Sequence, residues 1–181
     1  MNAQTIIDEY TSEYLEKSYS IAVNEENNEL TVFIYTRREL SSSEVLFDIK
    51  GVDRINDFIN SLTAVRNKFE EWRKVAKDNN VTDFEKDFDI SFPNVVIAWY
   101  GSQWWFDFFA KLKPYFRVTS DGTPLVVFHD KVSASSNEYI TEEYFLIFTS
   151  EKEINSFINK INPMSLRDKL NKKHAPDELF K

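Results

Sequence analysis

Few side chains in this sequence are equipped for catalysis, and their spacing limits what they could do. His129 and Asp130 are adjacent near the end of a β-branched and aromatic run. Successive side chains of a strand point to opposite faces, so the pair is not expected to form a His–Asp relay. No G-x-S-x-G elbow supplies a nucleophile. The second imidazole, His174, falls in residues 174–181, a segment expected to be a flexible tail. Asp83, Glu85, Asp87 and Asp89 alternate in a way that superficially matches a calcium loop. The central Gly is missing, however, and the twelfth position is Asn94 rather than Glu. The segment reads instead as an acidic linker that docks Phe84 and Phe88. Glu142 and Glu143 head a strand, while Glu25, Glu26 and Glu29 crowd a turn. Paired carboxylates do acid–base work only where burial or a neighbour separates their pKa values. Turn glutamates are normally solvated, so no catalytic, cofactor-binding or metal-ligating residue is assigned.

Composition narrows the chemistry further. The 181 residues include no Cys, two His and three Gly (Gly51, Gly101 and Gly122). The lack of Cys removes disulfides, thiolate zinc sites, iron–sulfur clusters and cysteine nucleophiles together. Three widely separated glycines cannot build a Gly-rich phosphate loop. Aromatic residues make up 15% of the chain and hydrophobic residues 42%, which marks a folded domain. The net charge is −8, and Met1–Leu30 alone carries seven acidic residues against one Lys. The only basic bias lies in Lys160–Lys181, so nucleic acid is not an expected partner. The acidic N-terminus and the absence of a long apolar run predict neither a secretory signal nor a membrane span, and a cytoplasmic location is expected.

The elements that would position these residues are expected to repeat. Ile21–Phe33 aligns with Phe116–Phe128 at an offset of 95, and Glu44–Leu62 aligns with Glu143–Ile161 at an offset of 99. The difference is a four-residue insertion between Lys131 and Glu143. The expected fold is α+β, with two tandem α-β-β-β-α units, antiparallel sheet and helices packed on one face. Residues 1–78 would form the first repeat, 79–92 an acidic linker, and 93–173 the second repeat with an extra leading strand, the repeats sharing a core. In the first copy, Tyr19–Val23 and Leu30–Thr36 read as a hairpin, followed by a strand at Glu44–Ile49. The second copy has Tyr115–Thr119 and Leu125–His129 flanking an Asp-Gly turn, then Glu143–Phe148. Val52, Ile55, Phe58, Ile59, Leu62, Val65, Phe69, Trp72 and Ala76 form a helical apolar stripe. Ser150 and Glu153 have the spacing of a capping box, and Pro163 should stop that helix near Asn162. Further helices are expected at Thr5–Lys17 and at Ser102–Lys113, with a short one around Leu166 and Leu170, and a buried strand at Phe92–Tyr100.

The element order α-β-β-β-α resembles secretion-chaperone-like folds, and duplicated sheet-plus-helix units resemble TATA-binding-protein-like and sliding-clamp folds. No residue motif accompanies these resemblances, and they imply little about function. In general character the chain is similar to bacterial immunity-type inhibitors, which are small, acidic, aromatic-rich and without a catalytic signature. The aromatic run Trp99–Phe109 is either core or an exposed protein-binding or homodimer patch. Asp107 would then need a partner or water if that run is buried.

The expected function is therefore protein binding without catalysis, with a basic toxin or effector as the partner. Asp8, Glu9, Glu13, Glu16, Glu25, Glu26, Glu29 and Glu142 would meet the partner's cations around the aromatic anchors Trp104 and Tyr139. Two other readings stand beside it. One is a chaperone or adaptor holding an extended peptide. The other is an enzyme built on Glu142, Glu143, Asp89 and Asp107. The unequal loops at Arg37–Arg38 and Val132–Glu143 are further places where function could have diverged.

Overall fold

A computed structural model describes residues 4–38 and 44–178. The chain is α+β, with ten strands, all paired antiparallel, and three helices among the described residues. In chain order these are β1 (Thr5–Ser12), β2 (Lys17–Glu26), β3 (Glu29–Arg38), β4 (Glu44–Lys50), α1 (Val52–Asp78), β5 (Phe84–Asp87), β6 (Val95–Tyr100), β7 (Trp104–Ala110), β8 (Tyr115–Val118), β9 (Pro124–Ala134), β10 (Asn137–Phe148), α2 (Glu151–Ile161) and α3 (Pro163–Glu178). The strands run β5-β8-β9-β10-β3-β4-β6-β7, with the β1–β2 hairpin joined to β3. The joint between the two halves is narrow. Among the described residues β10 pairs with β3 at Tyr144–Arg38 and Phe145–Arg37 alone, beyond the stretch of β3 that pairs with β2.

The helices follow their apolar stripes. Ile55, Phe58, Leu62, Val65, Phe69 and Ala76 of α1 are buried against the sheet. Its N-cap, Gly51, adopts φ +96, a conformation open to glycine, as β4 turns directly into the helix. α2 begins at its Ser150 cap, whose hydroxyl accepts the Glu153 N–H at 3.1 Å, and ends at Asn162 before Pro163. One cluster of buried side chains runs under both halves, joining Phe47 and Ile97 to Phe128, Phe148 and Phe157. The opposite sheet face carries two smaller patches. Ala22, Phe33, Leu46 and Ala98 form one, with Phe106 and Tyr35 against it. Leu125, Val127 and Ile147 form the other, against which Leu15 packs.

Several expectations are corrected. Thr5–Lys17 is not a helix but β1 and the turn into β2. Ile6, Tyr10 and Tyr14 share a helical face, but even spacing shares a strand face equally well, and β-branched residues with tyrosines fit the strand. A bulge between Ile6 and Asp8 then turns Tyr10 inward onto Phe157, with ring centroids 4.9 Å apart. Ser102–Lys113 is also not a helix. Its aromatic run forms β7, antiparallel to β6, and the Gly101 N–H bonded to Gln103 O at 2.8 Å closes the hairpin.

With both leading helices gone, four strands precede α1 and six lie between α1 and α2, and the premise of the resemblance to secretion-chaperone-like folds goes with the helices. The stretch 79–92 contains β5, paired with β8. Phe88 docks on Trp72 with rings nearly parallel at 5.1 Å, whereas Phe84 remains exposed. The inserted segment is not a loop; it extends the β9–β10 hairpin. α3 continues to Glu178 through most of the segment expected to be a tail. Arg37 and Arg38 close β3, and residues 39–43 of the following loop lie outside the described residues.

Candidate functional site

The β6–β7 hairpin displays a row of rings on the sheet face away from the helices. Tyr100 meets Trp104 edge to face at 5.6 Å, Trp104 lies 6.5 Å from Phe106, and Phe106 stacks on Phe108 at 5.5 Å. Alternation explains the row. Trp104 and Phe106 pair with Tyr100 and Ala98 on the outer face, while Trp105 and Asp107 pair with Trp99 and Ile97 on the inner one. Past Asp107 the register slips by a bulge, and the Asp107 carboxylate accepts the Phe109 N–H at 3.0 Å. The Asp107 expected to need a partner thus finds one in the local backbone. Phe108 is 51% exposed and Phe109 74%. β7 ends the strand order, and its outer edge is fixed to the β9–β10 turn. Ser135 N–H donates to Phe106 O at 2.8 Å, and Phe108 N–H donates to Ser135 Oγ at 3.0 Å.

Beside the row lies a groove of about 350 Å³. The β2–β3 turn supplies Glu26 and Glu29, β3 supplies Phe33, β4 supplies Asp48 and Lys50, and β7 supplies Phe106. Register brings them together: Phe33 pairs with Asp48, and Asp48 with Val96, so these side chains share the outer face. Burial pushes the Asp48 carboxyl up to about 6, against the opposing pull of the Lys50 and Arg54 charges. Lys50 lies 3.0 Å from Glu29 Oε2, and that bond raises the ammonium above its ordinary value.

The other expected contact residues are placed differently. Asp8 accepts Lys160 Nζ at 3.0 Å and also Lys169. Burial draws its carboxyl up, but Lys169, the Glu9 N–H and Lys160 together hold it below the ordinary value. Glu25 is paired with Arg167 of α3 at 3.0 Å. Glu13 accepts the Thr149 hydroxyl at 2.8 Å, and its N–H donates to Glu153. Glu9 and Glu16 are exposed on and beside β1, and Tyr139, 85% exposed, stands near the tip of the β9–β10 hairpin. Glu142 is half-buried and accepts the Glu143 N–H at 3.1 Å. Of the residues expected to meet a partner, Glu26, Glu29 and Trp104 are therefore the ones assembled around one ladder and groove. Sequence reasoning missed Asp48 and Phe106 as members of that set. The available signal was the alternation in Val45–Lys50, where a single acid interrupts an apolar strand.

His129 Nε2 lies 3.0 Å from Glu143 Oε2, and its ring stacks on Phe145 at 4.2 Å. Asp130 instead accepts the Lys131 N–H. Asp89 lines a separate groove with Asp87, Lys111 and Lys113. Among the described residues no group of three or more His, Asp or Glu could hold a metal ion, and no helix is long and apolar enough to cross a membrane. No family model, curated protein or solved structure matches the chain.

Proposed function

We propose that this chain is a non-catalytic, acidic protein-binding domain of the cytoplasm. In its most concrete form it is an immunity-type inhibitor that covers a basic toxin or effector. The observation that carries the reading is the ring row Tyr100–Trp104–Phe106–Phe108, exposed at Tyr100, Trp104 and Phe108, beside the acidic β2–β3 turn. Large rings supply contact area at little entropic cost, and tryptophan and tyrosine are enriched where binding energy concentrates. Acidic groups flanking them steer a basic partner and select against acidic ones. The scaffold is read as a duplicated βββα unit, because β2-β3-β4-α1 and β8-β9-β10-α2 follow the same order.

A second reading, an adaptor that adds an extended peptide to the sheet, draws on the terminal position of β7. Ser135 already occupies two hydrogen-bonding positions on that edge, which favours docking on the ring face.

The test is affinity capture from the cells that make the protein, comparing the wild type with a Trp104→Ala/Phe108→Ala variant. A basic protein retained by the wild type, released by salt and lost from the variant supports the reading. Identical retention by both, or retention of no basic protein, would overturn it.

A further inference from the structure

Asp48 differs from acidic groups elsewhere in the fold and from its groove neighbour Glu29. Asp8, Glu13, Glu25 and Glu29 each have a cationic or hydrogen-bonding partner within the fold. Among the described residues, Asp48 has neither a hydrogen bond nor an ion pair, although it is half-buried and lines the groove between Phe33 and Phe106. An unpaired carboxylate flanked by rings is costly for the folded chain and gains strongly from a cation brought to it.

We propose that this groove seats one arginine side chain of a basic protein partner. Its guanidinium would pair with the Asp48 carboxylate and stack on the Phe106 ring, under a rim formed by Glu26 and Glu29. The inference deepens the protein-binding reading and rests on it. Arginine fits better than lysine for two reasons. Its planar fork can take both carboxylate oxygens while a face lies against an aromatic ring, and it gives up its hydration more readily than an ammonium. Charge complementarity points the same way. Three carboxylates, Glu26, Glu29 and Asp48, face the groove; the cation within it is Lys50, which Glu29 already holds, and Arg54 of α1 acts on Asp48 from the helix side. Burial also makes Asp48 the group here that loses its charge within a mildly acidic range, so occupancy should fall as the pH drops through about 6.

The seat can be read without the natural partner. The probe is the short peptide acetyl-Val-Thr-Arg-Thr-Val-amide, titrated to millimolar concentration into the whole protein labelled at its Asp carboxyl carbons and Phe rings. A counterpart with citrulline in place of arginine serves as the control. The arginine peptide is expected to move the Asp48 and Phe106 signals, with affinity falling about tenfold in Asp48→Asn and several-fold between pH 7.5 and pH 5. Phe106→Leu should weaken binding while keeping the apolar wall, so a loss there is not a loss of fold. Equal shifts from the citrulline peptide, or unchanged affinity in Asp48→Asn, would overturn the seat. Failure of the peptide overturns the seat alone, whereas failure of capture overturns the protein-binding reading.

Discussion

The rings of Phe106 and Phe108 lie parallel on the outer face of β7, centroids 5.5 Å apart and planes 6° from parallel. The two neighbours differ in how they pack. Phe106 packs against the patch of Ala22, Phe33, Leu46 and Ala98, whereas Phe108 is more than half exposed. Phe108 is thus placed to serve recognition with little share in stability, whereas Phe106 is placed to serve both. Phe106→Ala should cost about 2 kcal/mol in urea unfolding, because it opens space over a buried patch. Phe108→Ala should cost less than about 1 kcal/mol yet weaken retention of a basic partner about tenfold or more. Equal losses of stability would show that the outer ring is structural too.

Asp48 predicts an unusual pH dependence. Its carboxyl is raised from 3.8 to about 6 by burial, so between those values the folded chain holds the proton more firmly than the unfolded chain does. The ionised group therefore penalises the fold above pH 6, and the penalty disappears once the unfolded chain is protonated as well. Asp48→Asn should stabilise the protein at pH 7.5 by about 1 kcal/mol, once the shift is discounted for the group's partial exposure to water. The gain should vanish near pH 3.5. A gain of the same size at both pH values would contradict this.

Asp8 has the opposite sign. Lys169, the Glu9 N–H and Lys160 outweigh burial and depress its carboxyl, so its contribution is present above the unfolded value of 3.8 and lost as the pH falls through the lower folded one. Asp8→Asn should cost about 1 kcal/mol at pH 7 and progressively less as the pH falls below 3.8. It should also speed amide exchange in β1, which α2 and α3 hold through this carboxylate.

Glu153 ties the β1–β2 turn to the start of α2. It is buried, and its carboxylate accepts the Thr149 N–H at 2.7 Å, the Thr149 hydroxyl at 3.0 Å and the Glu13 N–H at 3.1 Å. Ser150→Ala removes one cap bond and should cost about 1 kcal/mol. Glu153→Ala strands two backbone donors and should cost about 2–3 kcal/mol. Thermal unfolding of both variants checks the order, and a smaller loss for Glu153→Ala would refute the tie.

The parts of this fold governed by local pattern were legible in the sequence. The α1 stripe, the Ser150 cap with its stop before Pro163, both central hairpins and β6 appear where residue spacing places them. β1 and β7 were not legible, because period alone does not distinguish a short helix from a strand when apolar residues recur at even intervals. In Trp104–Phe109, rings at nearly every position erase the period altogether. β5, all exposed, is a strand only because β8 offers it an edge. The groove was illegible for a deeper reason. Glu26, Glu29, Asp48 and Phe106 meet through the successive pairings of β2, β3, β4, β6 and β7, and no local feature of the sequence encodes that register.

The ring face of β7 is predicted to meet a basic protein. Amide hydrogen exchange, read residue by residue with and without the protein retained in the capture experiment, tests this directly. Protection is predicted across Trp104–Phe109 and the turn from Asn24 to Thr31, weakening as salt is added. Protection confined to other strands, with both segments exchanging as in the free chain, would contradict it.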